Sequence, residues 1–172
     1  LIAANVTSLY NEVQCVPAII PSDYFNPLLY TGNNTTQAIT SLNFKPDLIW
    51  LKGRNNANKH ILTDSIRGTN SQLSSNETAV QTAGAANVTS FNSNGFSLGD
   101  AGNTNTSAQT YVAWNWRAAG FANAFNVLEG GTVTTSSSAA TAGITAGSIT
   151  TGWNVSANVD AGFSIVKHTG TG

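Results

Sequence analysis

Thr110-Tyr111-Val112-Ala113-Trp114-Asn115-Trp116-Arg117 is the stretch whose reading decides the fold. It is rich in aromatic and β-branched residues and holds neither Gly nor Pro, which is strand chemistry. Alternation places Val112, Trp114 and Trp116 on one face and Tyr111, Ala113, Asn115 and Arg117 on the other. Burial of apolar area contributes roughly 25 cal/mol per Å², and an indole is the largest payload a strand can carry. The tryptophan face is therefore expected to be the core, joined by Trp50 from another strand.

That other strand is Pro46-Asp47-Leu48-Ile49-Trp50-Leu51-Lys52, apolar on both faces, as expected of a central strand buried on both sides. Proline as its first residue removes no ladder bond. His60 to Ile66 is a further strand candidate. Asn94-Gly95, between Val88-Thr89-Ser90-Phe91 and Phe96-Ser97-Leu98, is the strongest hairpin signal in the chain. A second hairpin is expected where Gly32-Asn33-Asn34 separates Pro27-Leu28-Leu29-Tyr30-Thr31 from Thr35 to Thr40.

Outward from these strands the chain changes character. Residues 1–24 read as a docking arm or linker, with a short amphipathic helix expected on Val6, Leu9, Tyr10 and Val13 before Pro17 and Pro21. Residues 25–120 read as an all-β, antiparallel β-sandwich module. Residues 121–160, with Thr132 to Ala140 at their centre, read as a Ser/Thr/Ala-rich linker or stalk, extended or paired with neighbouring chains. Near the end, Ser164-Ile165-Val166-Lys167-His168-Thr169-Gly170 echoes Pro27-Leu28-Leu29-Tyr30-Thr31-Gly32, with Thr31 and Thr169 standing 138 positions apart. Residues 161–172 are thus expected to open a second copy of the module. Lys167-His168 departs from that echo. The start at Leu1 rather than Met is expected of a processed product or a fragment.

Charge restricts the function classes. Of 172 residues 41% are hydrophobic but only 9% charged, and the net charge is -1. A typical domain is about 25% charged, so Asn, Thr, Ser and Gln must carry this surface. No basic patch points to nucleic acid, and no apolar run or basic amphipathic helix points to a membrane. Cys15 is the single cysteine, so no internal disulfide is possible. Glycosylation sequons stand at Asn5, Asn33, Asn34, Asn76, Asn87, Asn105 and Asn154, a frequency this composition produces by chance.

Catalytic constellations are sparse. His60, His168 and Cys15 are not at metal-binding spacing, and no metal or cofactor is expected. Asp47 and Asp64, on adjacent strands, make the one conceivable carboxylate pair; a turn with an Asp64–Arg67 contact is the simpler reading. The loop Asp100 to Asn105 has too few carboxylates for calcium and reads as an Asx turn. Lys52, Arg54, Lys59 and Arg67 read as a solvated hairpin tip, or else as an inter-subunit or host contact. Trp153 reads as a plug for a neighbouring surface, or else as a sugar-stacking residue. The candidate interaction surface is accordingly Arg54, Lys59, Arg67 and Trp153.

Several motifs, in order, resemble a module of tail-fibre-like structural proteins of marine and freshwater bacteriophages. They are Tyr30-Thr31-Gly32-Asn33 with Gln37-Ala38-Ile39-Thr40, Phe44 to Lys52, Asp64-Ser65-Ile66-Arg67-Gly68, Thr89 to Phe96, Tyr111 to Trp116, and Gly162 to Val166. The resemblance covers residues 25 to 172. It implies a non-enzymatic structural module of a virion, in a tail, neck or head fibre. Its implied partners are copies of itself, with a trimer favoured, other virion proteins and a host-surface glycan. A carbohydrate-binding adhesion module is the alternative expectation.

Overall fold

The computed structural model describes residues 19–120, 124–126, 133–135, 153–158 and 160–168. The expected helix on Val6 to Val13 and most of the Thr132 to Ala140 stretch lie outside the described residues. After a 3-10 turn at Pro21–Asp23, the strands in chain order are β1 (Phe25–Thr31), β2 (Gln37–Ile39), β3 (Leu48–Gly53), β4 (Ile61–Asp64), β5 (Ser71–Ser74), β6 (Thr82–Ala83) and β7 (Val88–Asn92). They continue with β8 (Gly95–Leu98), β9 (Thr110–Trp116), β10 (Ala124–Asn126), β11 (Val133–Thr135), β12 (Trp153–Asn158) and β13 (Phe163–His168).

The protein is all-β, as expected. A six-stranded antiparallel sheet runs β1-β9-β3-β4-β5-β6 and faces a three-stranded sheet, β2-β8-β7. A four-stranded sheet, β11-β10-β12-β13, follows, with β10 and β12 parallel. Its strands come largely from 121–160, the stretch expected as a linker.

The core lies between the first two sheets. The six-stranded sheet contributes Tyr30, Ile49, Leu51, Ile61, Tyr111 and Ala113; the smaller sheet contributes Ile39, Val88, Phe96 and Leu98. Tyr30 stacks on Tyr111 with centroids 5.1 Å apart, and Phe96 meets Tyr30 edge-on. Both phenols are satisfied: Tyr30 donates to the Thr104 carbonyl at 2.7 Å, and Tyr111 accepts the Thr106 N–H at 3.0 Å. This is how two tyrosines can be buried without the cost of orphaned hydroxyls.

Two expectations are corrected. The core face of β9 is Tyr111, Ala113 and Asn115, all fully buried, while Trp114 and Trp116 are half-buried on the opposite face. On β3, Ile49 and Leu51 point inward and Trp50 outward. The inner layer already holds the stacked tyrosines and Phe96, so small Ala113 and Gly53 fit there and further indoles would overfill it. The two central strands are therefore buried on one face and half-covered on the other.

The second correction concerns Gly32-Asn33-Asn34, which does not make a hairpin. β1 pairs with β9, and β2 pairs with β8. The segment instead carries the chain from one sheet to the other, tied down by Asn105. Asn105 Nδ2 donates to Asn33 Oδ1, the Thr35 carbonyl and the Gly99 carbonyl, and its Oδ1 accepts the Asn33 N–H. A Cβ on Gly32 would collide with the Thr106 carbonyl. The expected hairpin between β7 and β8 forms, but its loop residues are Ser93 and Asn94 rather than Asn94 and Gly95; Gly95 already pairs with Asn92.

Candidate interaction surface

The outward face of the six-stranded sheet is built by strand register alone. One row across the strands reads Pro27, Trp114, Trp50, Leu62, Leu73, from β1 through β9, β3 and β4 to β5. A row to one side reads Phe25, Trp116, Leu48, Asp64; a row to the other reads Leu29, Val112, Lys52. Apart from Asp64 and Lys52 every position is apolar. All the apolar positions are half-buried or exposed, with Leu29 65% and Phe25 40% exposed.

With strands about 4.8 Å apart and same-face residues about 6.8 Å apart, the grid covers on the order of 300 Å². That footprint lies at the lower end of the roughly 300–600 Å² spanned by the largest apolar patch of an ordinary monomer, which is often functional. The indoles are tied together: Trp50 and Trp114 meet with centroids 5.1 Å apart and planes at 47°. Trp116 touches Phe25 at 5.0 Å and stacks on Phe163 of β13 at 6.0 Å and 18°. The face carries almost no charge. Asp64 is buried, accepts the Ile66 and Arg67 N–H groups through Oδ1 and pairs with the Arg67 guanidinium.

Of the four basic residues expected at a solvated hairpin tip, Lys52, Arg54 and Lys59 stand at the β3–β4 end and Arg67 does not. Arg54 and Lys59 lie on the β3–β4 connection, at the opposite end of β4 from Arg67. Lys59 pairs with Glu77 at 2.7 Å, and Lys52 Nζ donates to the Gly53 carbonyl at 2.8 Å. Antiparallel β3 and β4 separate what a sixteen-position window placed together. Of Trp153 only the backbone, opposite His168 in β12, is described.

Asp47 and Asp64 are brought close, since the Ser65 N–H donates to the Asp47 carbonyl at 2.8 Å. Both side chains are nonetheless buried. Asp47 Oδ2 accepts the Ala118 N–H at 2.7 Å. Burial pushes the Asp47 carboxyl above its ordinary range, opposed by the Ala118 N–H, then by Ser65, the Gly120 N–H and Lys45. The Asp64–Arg67 turn forms as expected. Asn105 is a structural tie rather than a calcium ligand, and Asp100 is exposed. Among the described residues no group of three or more His, Cys, Asp or Glu could hold a metal ion.

The sequons at Asn87 and Asn105 are buried. Asn87 Oδ1 accepts the Thr104 hydroxyl at 3.0 Å, and its amide donates to Gln72. Sequence reasoning placed Val112, Trp114 and Trp116 on one face but assigned that face, with Trp50, to the core. The available signal was the apolar character of both faces of Leu48 to Lys52, read as two-sided burial.

A family model described as a domain of unknown function, DUF7483, matches residues 20–144. Searches of curated proteins and of solved structures give no match.

Proposed function

We propose that this chain, which belongs to the DUF7483 family of domains of unknown function, is a non-catalytic structural module of a phage fibre or appendage. It associates with copies of itself, in a trimer by preference, and with other virion proteins. The observation that carries the self-association is the neutral aromatic grid of Trp50, Trp114, Trp116, Phe25 and Leu29 on the outer sheet face. A patch of this kind marks an interaction site. It is smaller than the roughly 800 Å² per partner of a standard stable interface, so it acts as one contact among several in a fibre. The placement in a virion rests on the ordered motifs from Tyr30 to Val166.

Size-exclusion chromatography with light scattering tests the assembly. The wild-type chain is expected to form a defined oligomer, and Trp114→Ser with Leu29→Ser to weaken it without unfolding the module. A compact monomer at every concentration and salt would sink the reading.

One observation favours carbohydrate binding as a second reading. The tilted Trp50–Trp114 pair is half-exposed and offers ring faces on which a sugar could stack. Tyr111 is buried and offers none. A glycan array that binds wild type and loses signal with Trp50→Ala and Trp114→Ala supports this reading; no wild-type signal removes it.

A further inference from the structure

β13 repeats β1 in more than sequence. At the same offset of 138 positions Phe163 stands for Phe25, Val166 for Leu28 and His168 for Tyr30, and both strands begin at the phenylalanine. The exposure of the two faces is reversed: Phe25 and Pro27 of β1 are exposed, whereas the equivalent Phe163 and Ile165 are partly covered. In β1, Asn26, Leu28 and Tyr30 turn toward the core and are covered; in β13 the equivalent Ser164, Val166 and His168 are exposed, Val166 at 49%. β13 thus carries the pattern of β1 without the core that the pattern serves. Lys167 fits this equivalence, because its counterpart Leu29 is 65% exposed and a lysine there stays solvated.

The edges complement each other in the same way. β13 pairs with β12 on one edge, and no described strand lies on its other edge. β1 pairs with β9 on one edge, and no described strand lies on its other edge. The Gly32 N–H donates to the Gln109 carbonyl and the Arg117 N–H to the Tyr24 carbonyl, so even-numbered residues of β1 bond toward β9. The amides of Phe25, Leu29 and Thr31 consequently point to the open edge, where Pro27 offers none.

We propose that the open edge of β1 is the docking site for a β12-type strand of another copy of this chain. The six-stranded sheet of one module then runs on into the four-stranded sheet of the next. The β12–β13 register transfers directly: Asn158 faces Phe25, Ser156 faces Pro27 and Asn154 faces Leu29. By the same equivalence the bare edge of β13 is the seat of a β9-type strand. This is recognition by strand addition, with the ladder supplying affinity and alternate side chains supplying register. Pro27 offers no amide, so any strand docked on this edge, β12-type included, forms one ladder bond fewer there. The proposal deepens the modular reading above and rests on it.

Two copies joined in one polypeptide, His168 of the first followed directly by Thr31 of the second, test it by residue-resolved amide exchange. A second splice carries Lys167→Leu and His168→Tyr, restoring the residues of β1. The Val166 amide is expected to exchange on the order of a hundredfold more slowly than in the single chain, while the β12–β13 pairing persists. An unchanged Val166 amide in both splices overturns the proposal. So does loss of the β12–β13 pairing when the second module folds. Light scattering on the single chain reports self-association separately, so a failed junction and a failed assembly are distinguishable.

Discussion

Phe163 of β13 stacks on Trp116 of β9, with ring centroids 6.0 Å apart and planes 18° apart. The same indole meets Phe25 at 5.0 Å. Trp116 therefore joins the first strand of the sandwich to the terminal hairpin. Phe163→Ala is expected to free that side of the indole, costing about 1–2 kcal/mol, since an aromatic pair contributes about 0.5–1.5 kcal/mol beyond burial. A red-shifted tryptophan emission and faster amide exchange confined to β12 and β13 would be the readout. An unchanged spectrum would contradict the contact.

The inward and outward faces of β3 should respond differently to truncation. Leu51 is buried and Trp50 is half-exposed on the other face. Leu51→Ala is expected to cost about 2–5 kcal/mol in urea denaturation, as core leucines do. Trp50→Ala, despite removing the larger side chain, should cost less. The reverse order would mean that the tryptophan face is the core.

Gly95 has φ +153°, and a Cβ there would collide with the Ile39 carbonyl of the neighbouring strand. Gly95→Ala must strain the β7–β8 hairpin or push β2 away from β8. A loss of at least about 2 kcal/mol is expected, against roughly 0.5 kcal/mol or less for an ordinary exposed substitution. Equilibrium denaturation checks it, with Gly102→Ala as the control; a Cβ at Gly102 meets only Thr106 Oγ1, in ordinary contact.

Asp47 links stability to pH. Burial raises its carboxyl above the ordinary value, so the folded protein holds this proton more tightly than the unfolded chain. The contribution of the protonated form is complete below the unfolded pKa of about 3.9 and is lost as pH rises through the raised folded value. Asp47→Asn keeps an acceptor for the Ala118 N–H and should flatten stability across that window. Asp47→Ala orphans the amide and should cost about 1–3 kcal/mol. A pH series of urea midpoints that is identical for wild type and Asp47→Asn would refute the linkage.

Tyr30 is the alkaline counterpart. Burial, and then neighbouring Tyr111, push its phenol far above the ordinary range. Stability from the neutral phenol is present below about pH 10, the unfolded value, and is lost above it. Its phenolate absorbance should appear only together with unfolding. Tyr30→Phe deprives the Thr104 carbonyl of its donor and should cost about 1–3 kcal/mol.

Much of the fold was legible because strand chemistry is local. β-branched and aromatic runs placed β3, β7, β8 and β9, and Asn94-Gly95 marked the one tight hairpin among them. The Asp64–Arg67 turn was legible for the same reason, as a side chain bonding to its own backbone. Partners were less so. Gly32-Asn33-Asn34 has hairpin composition, yet Asn105, more than seventy positions away, turns it into a crossover. Nothing near Asn33 encodes that tie.

By itself the sequence determined an all-β chain, the alternation of its strands, a surface with little charge, and an echo of β1 near residue 163. Only the tertiary structure decided which face of β9 is inside. Alternation defines two faces symmetrically, and the choice depends on the volume left by strands distant in sequence. Tyr30, Phe96 and Tyr111 fill that space and satisfy their hydroxyls, so the tryptophans of Thr110 to Trp116 stand on the outer face of the sheet.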